Sequence, residues 1–316
     1  MEDRIRLGIS ACLMGEKVRY DGASKLDRFL TDTLGQYVDY VPVCPEVECG
    51  LGAPREAMRL VGDVRAPRLV TIHTGKDMTE RMRQWAGRRL AELEKEALCG
   101  FIFKSGSPSS GMERVKVYRD NGIPVTQGVG LFASAFMGHF PLLPVEDEGR
   151  LHDPKLRESF IEAVFTMKRW REFLAGDRGR GELVSFHTRH KLLVLSHSPK
   201  YYKAMGTLVA QLRTMPFQEL LDRYRTLLME ALRLKSTPKK NVNVLQHIMG
   251  YFKKRLSSDE KRELIEIIDR YGQGHLPLIV PITLLNHYVR KYDEPYLQGQ
   301  HYLSPHPLEL RLRNHV

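Results

Sequence analysis

A chain of 316 residues suits two domains better than one, and its 42% hydrophobic residues suffice for packed cores, which excludes wholesale disorder. There is no run of eighteen apolar residues, and the start MEDRIRLGIS enters a strand with no signal-peptide pattern, which excludes a membrane span and a secreted disulfide framework. The net charge is +11; the first 150 residues hold 21 basic and 21 acidic side chains, so the whole excess lies in the remainder.

The first half alternates between apolar runs and helical patterns. Residues 6–11 read as a buried strand that ends at Cys12 and a turn, with a helix expected over 25–34. A second strand, 40–43, runs into Cys44, and residues 68–73 read as a third. A long amphipathic helix is expected over 77–98, then a fourth strand over 100–103, a Gly/Ser loop over 104–111, a fifth strand over 123–126 and a small helix over 129–137. Such alternation predicts an α/β domain with an open, mostly parallel, Rossmann-like sheet. Ligands of such sheets bind beyond the carboxyl ends of the strands. Cys12, Cys44 and the serines 107–110 each follow a predicted strand, so three loops are expected to converge on one crevice.

Residues 141–149, PLLPVEDEG, read as a polar connector and place the domain boundary at 148/149. Beyond it the pattern predicts an all-α domain over 149–316. Asp153-Pro154 opens a helix to about 174, and a Gly/Arg linker covers 176–181. Further helices are expected near 182–196, 199–213, 216–235 and 241–255. Ser257 and Glu260 form a capping box for a helix stopping at Gly272. A last helix is expected over 278–291, then an extended arm rich in Pro and His.

The densest chemistry lies in residues 42–56, PVCPEVECGLGAPRE, where Cys44, Glu46, Glu48 and Cys49 fall within six residues. A thiol beside a carboxylate, on a loop leaving a buried strand, suits a metal or a nucleophile; a buried Cys with solvated glutamates is the plainer alternative. The cysteines lack the close pairs of a structural zinc knuckle. Iron–sulfur clusters accept ligands from distant loops. With no sign of secretion, the four thiols point to a reducing, cytoplasmic compartment, as core residues or metal ligands.

Three stretches, ISACLMGEKVRYDG, PVCPEVECGLGAPRE and FIFKSGSPSSGMERVKVY, resemble the signature loops of the thiouracil desulfurase (TudS-like) domain. LVSFHTRHKLLVLSHSPKYY, NVLQHIMGYFKK, LPLIVPITLLNHYVRK and YLSPHPLELRLRNH are similar to the YbgA-type helical domain that follows it. The two-domain arrangement resembles tRNA 4-thiouridine desulfidases. The resemblance implies a [4Fe–4S] cluster held by three cysteines with one open iron, and a non-redox reaction. It implies Cys12 and Cys44 as ligands and Glu46 as acid/base, with Ser107 or Ser109 assisting. It also places Ser110 where the family has its third cysteine. Cys49 as substitute ligand, Ser110 as ligand, and loss of the cluster are three open accounts; Cys99 reads as core.

In the basic half, His187, Arg189, His190, Lys191, Lys200, Tyr201, Lys239, Lys240, Lys253 and Lys254 are the substrate-binding candidates, with tRNA the expected partner. A solvated surface charge is the simpler reading for any one of them. His187 and His190 also admit a metal pair, without further ligands in view. Two other functions stay open: a desulfidase of free thiolated bases or nucleosides, and a non-catalytic RNA-binding relative.

Overall fold

The computed structural model describes residues 4–119, 121–176 and 179–315. The chain divides into two compact units, the first ending at Asp153 and the second beginning at Pro154.

The first unit is α/β, but its strands form two sheets where one was expected. The first sheet holds β1 (Ile5–Ser10), β2 (Val38–Val43), β5 (Phe101–Phe103) and β8 (Val145–Asp147) in the order β2-β1-β5-β8, all parallel. The second holds β3 (Met58–Val61), β4 (Arg68–Thr71), β6 (Val115–Tyr118) and β7 (Pro124–Gly128) in the order β4-β3-β6-β7. There β3–β4 and β6–β7 are antiparallel pairs, and β3–β6 is parallel. The third and fifth predicted strands therefore leave the parallel sheet. Both sit in short pairs where a four- or five-residue strand finds its partner locally, with Gly122 at positive φ in the β6–β7 turn. Residues 141–149 are not only a connector, because β8 pairs with β5 there.

The first sheet is covered by α1 (Thr79–Glu94) and α2 (Leu131–His139). Met82, Trp85, Leu90 and Leu93 of α1 are buried, as the helical spacing predicts. Phe101, Phe103, Phe132 and Phe136 are fully buried, with ring centroids 4.4–6.4 Å apart. Each contributes about 1.5–3 kcal/mol by leaving water. Gly8 makes this packing possible, since a Cβ there would lie 2.2 Å from the Phe101 ring. The helix expected over 25–34 is instead a wide turn, Phe29–Thr33, followed by a tight one, Leu34–Gln36.

The second unit is helical: α3 (Pro154–Ala175), α4 (Arg180–His197), α5 (Pro199–Ala210), α6 (Phe217–Leu232), α7 (Pro238–Tyr251), α8 (Ser258–Gly272), α9 (Ile279–Lys291) and the short α10 (Pro295–Gln298). Of the expected linker 176–181, Asp177 and Arg178 lie outside the described residues, and α4 already begins at Arg180. Both capping-box hydrogen bonds of Ser257 and Glu260 form. The C-terminal arm is a series of turns whose Tyr302 and Arg313 are buried. Arg313 pairs with Glu162 at 2.6 Å and Glu158 at 3.1 Å, and donates to the Tyr302 carbonyl at 2.6 Å.

Among the described residues no helix is long and apolar enough to cross a membrane.

Candidate active site

Three parallel strands end at one place. β1 runs into the tight turn Ala11–Met14 and delivers Cys12; β2 runs into Cys44, Pro45 and Glu46; β5 runs into Lys104 and the serine loop. The Lys104 amide donates to Ser10 Oγ at 2.9 Å, which ties the first loop to the third. Residues 47–51, expected as open loop, form a single wide helical turn. Its Glu48 accepts the Cys44 amide at 2.7 Å and pairs with Arg89 at 3.1 Å, holding Cys44 at the head of that turn. The expected convergence of the loops therefore occurs, around a cavity of about 370 Å³. Cys12, Cys44, Glu46, Ser107 and Ser110 all line it.

The serine loop is rigid. A Cβ on Gly130 would lie 2.5 Å from the Ser109 carbonyl, so α2 starts directly against the loop. That carbonyl accepts the Phe132 and Ala133 amides at 2.9 and 3.1 Å. Ser107 Oγ accepts the Ser109 and Ser110 amides at 3.3 and 3.1 Å. Ser109 Oγ donates to Glu46 Oε1 at 2.5 Å, so its contact with Ser107 Oγ at 3.0 Å takes the Ser107 proton. A directed chain results, Ser107 to Ser109 to Glu46. Ser109 is fully buried behind the wall, whereas Ser107 faces the cavity. The spacing of the two serines left their roles open, and their burial separates them: Ser109 orients the carboxylate.

Glu46 Oε2 stays lightly engaged, with Arg55 Nη2 at 3.7 Å and Cys44 Sγ at 3.8 Å. Burial pushes the Cys12 thiol up to about 11, partly offset by the Lys104 ammonium. Burial, then the Glu46 charge, pushes Cys44 up to about 12. Arg19, Arg55 and Lys104 are the cations of the cavity wall. Lys104 is pinned by Glu148 at 2.5 Å, which Ser105 also engages through its amide and hydroxyl at 2.6 and 2.8 Å. Arg19, Tyr20, Arg55 and Lys104 all lie in the quoted sequence stretches, where the thiols drew the attention. Glu148 was hidden in the expected connector.

The remaining cysteines are elsewhere. Cys49 is buried, does not line the cavity, and its Sγ donates to the Glu46 carbonyl at 3.3 Å. Arg81 clamps the same turn through the Cys49 and Gly50 carbonyls at 2.7 and 2.9 Å. Cys99 is core, 1% exposed. Among the described residues no three His, Cys, Asp or Glu side chains are arranged to hold a metal ion. The cavity instead offers two thiols and the Ser110 hydroxyl, with three cations nearby. The two thiols suit an iron–sulfur cluster, whereas a neutral Ser110 hydroxyl is a poorer iron ligand than a thiolate.

In the helical unit the substrate-binding candidates separate. Arg189, Lys200, Lys239, Lys253 and Lys254 are exposed. Lys191 lies 4.8 Å over the Tyr296 ring, which stacks on Tyr251 at 5.0 Å. His190 needs correction as a substrate-binding candidate, and the Lys240 and Tyr201 polar groups have internal partners. His190 is 1% exposed, stacks on Phe186 at 3.9 Å and donates Nδ1–H to the Phe186 carbonyl at 2.8 Å, so it is a core residue. The Lys240 ammonium is spent on the His197 and Lys235 carbonyls at 2.7 and 2.8 Å. Tyr201 donates to Glu230 at 3.1 Å, with Lys200 5.9 Å from its ring. His187 is half-buried and meets Tyr224 Oη at 3.2 Å, and among the described residues no third ligand joins His187 and His190.

Comparison with known proteins agrees with this division. Residues 7–148 match the family model described as 2-thiouracil desulfurase, and residues 191–307 match that of a protein of unknown function, DUF1722. YbgA of Escherichia coli (strain K12), an uncharacterized protein, is 33% identical over 136 residues, covering 43% of this chain and 80% of YbgA. YbbK of Bacillus subtilis (strain 168), also uncharacterized, is 32% identical over 111 residues, covering 33% of this chain and 71% of YbbK. A solved structure described as the [4Fe-4S]-dependent thiouracil desulfidase TudS is 30% identical, with a TM-score of 0.40, covering 48% of this chain and 95% of its own. The chain thus belongs to the 2-thiouracil desulfurase family through its α/β half, joined to a YbgA-like DUF1722 domain.

Proposed function

We propose that the chain is an iron–sulfur-dependent, non-redox desulfidase that converts 4-thiouridine in tRNA to uridine. The observation that carries this reading is the cavity itself: two thiols, a hydroxyl and a hydrogen-bonded carboxylate line it where three parallel strands end. Cys12, Cys44 and Ser110 would hold the cluster, and soft thiolates suit iron. When bound, the cluster supplies an open Lewis-acidic iron for a thiocarbonyl sulfur.

The protein's own groups do the rest. Ser109 occupies Glu46 Oε1, so the proton of an attacking water is taken at Glu46 Oε2. Arg55 beside Oε2 keeps that carboxylate oriented toward the cavity. Water adds at the ring carbon and sulfur leaves as hydrosulfide, giving the oxo base with no change of redox state. Ser107 heads the relay that runs through Ser109 to Glu46, its hydroxyl donating to Ser109 and accepting the Ser109 and Ser110 amides.

The excess positive charge of the second half supports a polyanionic substrate, and the Tyr251–Tyr296 pair with Lys191 suits an unpaired base of a structured RNA. The test is anaerobic reconstitution, incubation with bulk thiolated tRNA, digestion and quantification of 4-thiouridine against uridine. Conversion of free nucleosides with tRNA untouched would overturn the substrate, and a loaded protein inert toward both would overturn the activity. Ser110 favours one second reading, a non-catalytic RNA-binding relative. Activity appearing only in Ser110→Cys selects it.

A further inference from the structure

The cavity has a polar floor and an apolar lip. Its floor is buried, with Cys12 9%, Cys44 8% and Ser110 3% exposed. Its lip carries Tyr20 and Ile72, which line the cavity yet remain 47% and 42% exposed. Ala57 and Met58 line it as well. Large apolar groups this open at the mouth of a polar site do not serve the core; they await a flat apolar face.

Tyr20 is also held in place beforehand. The Gly22 amide donates to the Arg19 carbonyl at 3.0 Å, and Asp21 Oδ1 accepts the Ala23 amide at 3.0 Å, which closes a tight turn around Tyr20. The Arg55 amide donates to the Tyr20 carbonyl at 2.8 Å, and Arg55 Nη1 to the Val18 carbonyl at 2.8 Å. An exposed aromatic on a rigid turn loses little entropy when a ligand covers it. Arg19 lies beside it, its guanidinium 5.7 Å from the ring centroid.

We propose that Tyr20 and Ile72 clamp the two faces of a pyrimidine ring unstacked from a polynucleotide, while Arg19 takes the phosphate attached to it. The proposal rests on the desulfidase reading above and deepens it to a substrate class. Three observations combine. A pyrimidine has polar edges for the floor and apolar faces for the lip. A cavity of about 370 Å³ is ample for a base, and the chain attached to that base leaves past the open lip at Tyr20 and Ile72. There the edge of the site carries the Arg19 guanidinium, which pairs with Asp21 at 3.4 Å through Nε and presents its other nitrogens to a phosphate. The clamp therefore requires the base to leave its stack before reaction.

The test uses the reconstituted protein and two readouts. Calorimetry measures binding of uridine 5′-monophosphate and of uridine, neither of which has sulfur to lose. Steady-state kinetics measure desulfurisation of 4-thiouridine 5′-monophosphate and 4-thiouridine. Tyr20→Ala is expected to weaken binding and raise KM about tenfold, as for loss of one base–aromatic stack, with kcat within about threefold. Tyr20→Phe is expected to keep both, and Arg19→Ala to remove the advantage of monophosphate over nucleoside. Failure of wild type to bind uridine 5′-monophosphate, or equal binding by wild type and Tyr20→Ala, overturns the clamp. So does a Tyr20→Ala loss confined to kcat, or an Arg19→Ala loss equal for both ligands. Tyr20-dependent binding without any turnover leaves the clamp standing and removes the desulfidase reading; turnover indifferent to Tyr20 does the reverse.

Discussion

The two halves of this chain each gather acids, bases and nucleophilic groups from distant stretches, and they use them in opposite ways. In the α/β half the gathered groups face a cavity: Glu46 has one oxygen engaged and one lightly held, and two thiols stand on the same wall. In the helical half they face one another. Glu162 meets Arg313 at 2.6 Å and His197 at 3.1 Å, His197 turns its other nitrogen to the Leu234 carbonyl at 2.7 Å, and Asn241 links Tyr271 and Tyr302 at 3.0 and 3.1 Å. A polar group whose partners are all internal stabilises a fold, whereas one with a free lone pair over a cavity can do chemistry. His197 and Arg313 are therefore clamps that tie α3, α4 and the C-terminal arm together.

This contrast can be broken most sharply at the thiols. Cys12→Ala and Cys44→Ala are expected to lose nearly all iron after anaerobic reconstitution, whereas Cys49→Ala retains it and Ser110→Cys releases it more slowly to a chelator. Iron and acid-labile sulfide assays read all four, and full iron in Cys44→Ala, or none in Cys49→Ala, overturns the assignment. Next is the carboxylate. Glu46→Gln is expected to lower kcat by about 10²–10⁴ with iron content unchanged, the scale of a lost general base. Ser109→Ala, which only orients it, should cost less.

Arg313→Met tests the opposite half. It strands Glu162 and Glu158 in a buried site and is expected to destabilise the helical unit by about 3–5 kcal/mol, read by urea unfolding. Replacing an exposed lysine of the same unit, such as Lys253, should not.

A finer effect is pH dependence. Burial alone would raise the Glu162 carboxyl, but Arg313 and the His197 hydrogen bond outweigh it and hold the group well below its ordinary value, while burial and the Glu162 charge push its neighbour Glu158 up. The ordinary value for Glu162 is 4.5, so its contribution to stability is complete above that value and is lost as pH falls below it toward the lowered one. Urea midpoints of the helical unit are expected to fall over that window, and Arg313→Met should abolish that limb. The smallest effect belongs to the surface. Lys253→Ala is expected to lower tRNA affinity modestly and to reduce the salt slope by about 0.7–0.9, one phosphate contact, measured by filter binding.

Much of this molecule is legible along the chain. Apolar runs place β1, β2 and β5, helical spacing places α1 and most of the second unit, and Ser257 with Glu260 marks the start of α8. These are local signals, set by periodicity and by hydrogen bonds within one turn. That ligands sit beyond parallel strand ends also brings Cys12, Cys44 and the serine loop together from the chain alone.

What the tertiary structure alone decides is which way each group points. Cys44 and Cys49 are five residues apart and chemically equal in the sequence, yet one thiol lines the cavity and the other turns back on its own helical turn. Ser107 and Ser109 differ in the same manner, one facing the cavity and one behind the wall. His190 looks like a surface ligand until Phe186 covers it, and Glu148 looks like a solvated connector acid until β8 carries it to Lys104. Side-chain direction depends on contacts between residues far apart in the chain, such as Gly130 against Ser109 or Arg81 against Cys49. Composition and spacing determine which chemistry is present, and long-range packing determines which of it meets a ligand.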